Sequence, residues 1–133
     1  GMQDQFHTCN MFDCQAWFAR DVIMQKIKIP DNAEVENDIN KWVSMEEKLE
    51  NPDQMIDFQT EYTKELHSLS DYPEINFELI RKHFKEWEHH KVEDIMTYRN
   101  KSFSSPVTGS VAPVHHTPWE SAMDDSLKTF LNK

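Results

Sequence analysis

Two glycines in 133 residues, Gly1 and Gly109, set the tightest limit on this chain, since average usage of about 7% would supply roughly nine. A dinucleotide cradle needs several glycines close together, because its backbone must adopt positive φ and approach a pyrophosphate with no Cβ in the way. Two isolated glycines write neither a G-x-G-x-x-G fingerprint nor a P-loop. The chain alone therefore builds no dinucleotide fold, and its Pro, Asn and Asp punctuation favours helices. The expected class is mainly α, with about five helices and one long irregular loop.

Charge narrows the partners. Lys and Arg total 14 against 24 Asp and Glu, a net charge of −10. A chain this acidic, with no basic stripe, is a poor ligand for a phosphate backbone or an anionic membrane surface. The longest unbroken apolar run, Ala16-Trp17-Phe18-Ala19, falls far short of the ~20 residues that span a bilayer. Cys9 and Cys14 are the two cysteines, and no second C-x2-C element accompanies them, so a disulfide framework or zinc ribbon is not expected. Mean hydropathy is −0.78. A modest core therefore leans on its eight Phe, four Trp and three Tyr, some of which are expected to stay uncovered for a packing partner.

The punctuation marks five segments. A first helix is expected over 10–28, with Asn10 as its cap, Asp13 in its first turn and Pro30 beyond its end. Asp31 with Glu34 makes a capping box for a second, reaching about residue 49 and carrying Val35, Ile39, Trp42, Val43 and Leu49. Asn51-Pro52 opens a third, whose apolar face is read as Met55, Phe58, Tyr62, Leu66 and Leu69. The turn "SDYPEIN" leads to Asn76, cap of a fourth helix bearing Leu79, Ile80, Phe84 and Trp87. Residues 93–99 read as helix or short turn, and 101–116 as a loop without helical period. "TPWE" then starts a closing helix to about residue 131.

Two constellations compete with plain structural roles. His83, Glu86 and His90 share one helical face, and His115 and His116 could join them at a metal, yet no H-E-x-x-H is present and solvated histidines are the simpler reading. Arg99 sits where the helical pattern yields to the long loop, in a chain with few arginines; a planar guanidinium there suits a phosphate or carboxylate.

The stretches "GMQDQFHTCNMFDCQAWFARDVIM", "SDYP", "FKEWEHHKVEDIMTYRN" and "TGSVAPVHHTPWESAMDDSL" resemble the C-terminal portion of bacterial flavin-containing monooxygenases, in the branch that acts on trimethylamine. The likeness runs across essentially all 133 residues. It implies a two-dinucleotide-domain flavoprotein whose Rossmann-like cores lie outside this chain. Residues 1–30 would then end the FAD-binding domain, with Gly1 native sequence, and 31–133 would form a helical region with its long loop over 100–117. The implied activity is NADPH- and O2-dependent N-oxygenation of small tertiary amines such as trimethylamine, with S-oxygenation of sulfides also open. In the family's pattern Gln5 and Thr8 contact FAD, and Arg99 and Asp4 contact NADP. No catalytic nucleophile and no metal is implied. The aromatic pair that often follows "GMQDQ" is here Phe6-His7. The resemblance further implies a homodimer, and a 133-residue piece inactive alone because the FAD and NADP fingerprints lie outside it; the two reduced thiols make the cytoplasm the expected location, and the acidic charge makes nucleic acid and membrane unexpected partners. A stand-alone acidic helical module that binds a protein partner is the alternative.

Overall fold

The computed structural model describes residues 6–111. Four helices form there: α1 (Thr8–Ile23), α2 (Asn32–Glu46), α3 (Pro52–Ser68) and α4 (Phe77–Glu93), followed by a 3-10 turn, Tyr98–Asn100. The fold class is α, as expected. The expected closing helix over 117–131 lies outside the described residues.

Local chemistry starts three of the helices. Asp31 Oδ1 accepts from the Glu34 N–H at 2.9 Å while the Glu34 carboxylate accepts from the Asp31 N–H at 3.0 Å, a complete capping box. Asn51 Oδ1 accepts from the Gln54 N–H at 3.0 Å, with Pro52 at the first helical position. Asn76 Oδ1 accepts from the Leu79 N–H at 3.0 Å. Each side chain occupies one of the N–H groups that a helix start leaves unpaired. The second helix is shorter than its pattern, ending at Glu46.

α1 departs from its expectation at both ends. It begins at Thr8, with His7 in the cap position and Asn10 already inside the first turn. It stops at Ile23 rather than near residue 28. Gln25 enters the left-handed region at φ 59°. The Lys26 N–H then reaches the Asp21 carbonyl at 2.8 Å, and the Gln25 N–H reaches the Val22 carbonyl at 3.0 Å. These are the paired bonds of a Schellman ending, with glutamine where glycine is customary. Asp13 serves the next layer instead of the helix dipole: its carboxylate accepts from the Tyr72 hydroxyl at 3.0 Å. Burial, with Asp13 close by, pushes that phenol up to about 12.

α3 is the centre of the packing. It carries Ile56, Phe58, Gln59, Thr60, Thr63 and Leu66 inside, where it meets Met11 and Cys14 of α1 and Phe77 and Ile80 of α4. Tyr62 is half-buried and Leu69 is exposed, so the buried face is rotated from the stripe read in the sequence. The cause is geometric: α1 and α4 both cover α3, and they bury a polar edge that a single apolar stripe does not include. α2 buries no residue. It meets α3 through Trp42, whose ring packs edge-on at 5.4 Å against both Phe58 and Tyr62, and through the Lys41–Glu65 ion pair at 2.7 Å. Val35, Ile39 and Val43 stay exposed along it. Among the described residues the uncovered apolar surface is mostly aliphatic rather than aromatic, because the large rings pair with one another.

Two substitutions test this account of the helix ends. Gln25→Gly should stabilise the protein by about 0.5–1 kcal/mol by removing the Cβ clash at positive φ. Asn76→Ala should cost about 1 kcal/mol through the lost cap. Urea unfolding midpoints measure both, and a destabilised Gln25→Gly would contradict the left-handed ending.

Candidate functional site

The residues that lead into α1 are held by two other helices. Gln59, fully buried in α3, turns its side-chain carbonyl toward the entering backbone: Oε1 accepts from the Phe6 N–H at 2.8 Å and from the His7 N–H at 3.4 Å. His7 supplies no side-chain cap of its own. From α4, Phe84 packs against both rings, 5.9 Å from Phe6 and 4.9 Å from His7 between centroids.

The His7 imidazole is 1% exposed, and its tautomer follows from its neighbour. The Thr60 hydroxyl donates its one proton to the Ile56 carbonyl at 2.7 Å. At 2.9 Å from His7 Nε2 it can then only accept, so Nε2 carries the proton and Nδ1 carries the lone pair. Among the described residues no donor reaches Nδ1, although it is buried. Burial holds the ring neutral and pushes its pKa down to about 4.

Thr8 stands exposed in the first turn of α1, one residue past this clamp. Asp4 and Gln5 lie outside the described residues. Arg99 is exposed on the 3-10 turn, its guanidinium 4.4 Å from the centre of the Tyr98 ring. Tyr98 is buried and packs edge-on at 5.3 Å against Trp87. Phe84 and Trp87 are neighbours one turn apart on α4. One helix therefore braces both the entrance to α1 and the mount of Arg99. Phe6 and Trp87 also line a shared open cleft of about 540 Å³ with Met55 and Lys91.

The histidine constellation takes another form. His83 Nε2 lies 3.0 Å from the Ser104 carbonyl and the ring tilts over Phe103 at 5.0 Å, so the histidine ties the loop to α4. Among the described residues no group of three His, Cys, Asp or Glu side chains is arranged to hold a metal ion; His115 and His116 lie outside them. Cys9 is exposed and Cys14 buried, both free thiols. Burial and the nearby Asp13 raise Cys14 to about 11, which keeps it protonated and unreactive. The described part of the long loop is a tight turn: the Gly109 N–H reaches the Ser105 carbonyl at 2.9 Å, and Gly109 sits at φ 72°.

Sequence reasoning missed Gln59 and Thr60. Their signal was a polar pair in register with Ile56, Thr63 and Leu66 along one side of α3.

No family model matches the chain. Among curated proteins, trimethylamine monooxygenase from Pelagibacter sp. (strain HTCC7211) is 88% identical over 133 residues, covering 100% of this chain and 30% of its own length. The protein of that name from Methylocella silvestris is 51% identical over 133 residues, again 100% of this chain and 30% of its own length. That from Roseovarius nubinhibens is 44% identical over 132 residues, 98% of this chain and 30% of its own length. The crystal structure of Tmm from Pelagibacter sp. strain HTCC7211 matches with a TM-score of 0.85 at 88% identity, covering 98% of this chain and 30% of that one. The chain thus spans about 30% of the length of the curated relatives it matches.

The buried histidine gives a signed pH dependence. Its ordinary value is 6.5 and its folded value about 4, so the unfolded chain binds the proton more readily. The stability it contributes should be complete above pH 6.5 and fall as pH drops from there toward 4. His7→Phe should flatten that part of the stability profile, as read from unfolding midpoints across the window; an unchanged slope would contradict the burial.

Proposed function

The chain belongs to the trimethylamine monooxygenase family, and from that footing we propose that it is the C-terminal part of an NADPH- and O2-dependent flavin monooxygenase that converts small tertiary amines such as trimethylamine to N-oxides. Identity of 88% along the whole chain to a protein of that name carries the reading. Dialkyl sulfides, with a comparably soft lone pair, are second substrates. The whole enzyme is a cytoplasmic homodimer in this reading. Residues 1–30 complete its FAD-binding domain, and 31–133 form the helical region.

The residues present fit one wall of a flavin site rather than all of it. No glycine cradle for the pyrophosphate exists among them, but α1 offers an exposed first turn whose cap residue gives it no side-chain bond. The positive end of a helix favours an electron-rich ring edge. When bound, the flavin supplies the oxygen-activating redox chemistry, with the nicotinamide as reductant. Thr8 and Gln5 orient the flavin at the start of α1. Arg99 and Asp4 would hold the nicotinamide cofactor, with the exposed Arg99 guanidinium resting against the Tyr98 ring and suited to a phosphate. No side chain of this chain acts as nucleophile or proton carrier. Its work is binding, orientation and exclusion of water.

Three measurements test the proposal. The full-length enzyme should consume NADPH and trimethylamine in equal amounts and release the N-oxide. Arg99→Ala should raise the KM for NADPH about tenfold, the loss of one charge-assisted contact, while flavin content stays normal. The 133-residue polypeptide alone should be colourless and inactive; a yellow product with stoichiometric flavin would overturn the assignment.

A further inference from the structure

A glutamine in the middle of a helix ordinarily projects into water. Gln59 is instead fully buried, and burying an amide is costly unless it is hydrogen-bonded. Its carbonyl is directed at the N–H groups of Phe6 and His7. The same two residues are held again by Thr60, at 2.9 Å from His7 Nε2, and by the Phe84 ring. A segment without secondary structure of its own is thereby fixed in three directions by α3 and α4. The fixed residues stand between the two assigned flavin contacts: Gln5 precedes Phe6 by one peptide, and Thr8 follows His7 by one. Successive Cα atoms are about 3.8 Å apart, so a shift of residues 6 and 7 displaces the start of α1 at Thr8. A misplacement of about 1 Å is enough to damage a preorganised site.

We propose that Gln59 is a positioning residue for the flavin site: by binding the backbone of Phe6 and His7 it sets where Thr8, the next residue along, meets the flavin. This rests on the assignment of Gln5 and Thr8 as flavin contacts. Gln59 reaches the cofactor only through the chain it holds.

The test uses the full-length enzyme, stripped of flavin and retitrated with FAD. Gln59→Met keeps the volume and removes the acceptor; Gln59→Glu keeps an acceptor oxygen. Thr8→Val probes the direct contact. Gln59→Met should weaken FAD binding about tenfold and shift the visible band of the bound flavin, and it should also lower the unfolding midpoint of the apoenzyme, because the Phe6 and His7 N–H groups lose their acceptor. Gln59→Glu should stay within about threefold of the parent. If Gln59→Met leaves FAD affinity and spectrum unchanged while Thr8→Val weakens binding, the positioning role is overturned and the flavin assignment stands. If neither variant changes them, the assignment of the contact residues falls and this proposal falls with it. Equal losses in Gln59→Met and Gln59→Glu would mark a purely structural residue and also overturn it. Should Gln59→Met fail to accumulate, the isosteric Thr60→Val tests the same clamp through His7. A loss of about threefold in FAD affinity supports the proposal, and an unchanged value overturns it.

Discussion

The polar edge of α3 decides how the rest of the fold is arranged. An amide and two hydroxyls lie buried there, and none can be left without a partner at an acceptable cost. Thr60 and Thr63 return their protons to the carbonyls of Ile56 and Gln59, one turn back on the same helix. Gln59 cannot close on itself in that way, so its carbonyl reaches out to the chain leading into α1. The start of α1 is consequently set by tertiary contact, and the orientation of α1 over α3 follows from it.

That single fact separates what the sequence made legible from what it did not. Asp31, Asn51 and Asn76 cap their helices through bonds spanning three residues, and such bonds are visible in any short window of sequence. Asn10 looked like a cap by the same criterion and is not one, because the acceptor at that helix start comes from Gln59, 52 positions away from His7. The end of α1 was hidden for a different reason: a left-handed residue there is Gln25, and nothing in glutamine announces positive φ. The stripe read on α3 was apolar by construction, so it passed over the Gln-Thr pair that does the most specific work.

The candidate site was legible in another sense. Arg99 stands out in the residues themselves, one of few arginines at the edge of the long loop, whereas Thr8 is named only through resemblance. The architecture links the two positions through one helix. Phe84 braces the entrance to α1 and Trp87 braces Tyr98, whose ring carries the guanidinium of Arg99. Both braces are side chains of α4, so a rigid α4 keeps the entrance to α1 and the mount of Arg99 in register with each other. The acidic surface around them, including the ion pairs Lys64–Glu78 and Lys85–Asp57, adds little to stability at these exposures.

α2 stands apart from this scheme. It has a complete capping box and a sound helical pattern, yet it buries nothing and is fastened to α3 by one indole wedged between two rings and by the exposed Lys41–Glu65 ion pair. Its own hydrogen bonds form a unit that can melt without disturbing Gln59 or the braces on α4. Its backbone amides should therefore exchange with deuterium through local opening, well before those of α3 become accessible. The protein carries a detachable outer helix beside a clamped inner pair, and the order in which the two come undone is written in how each is fastened.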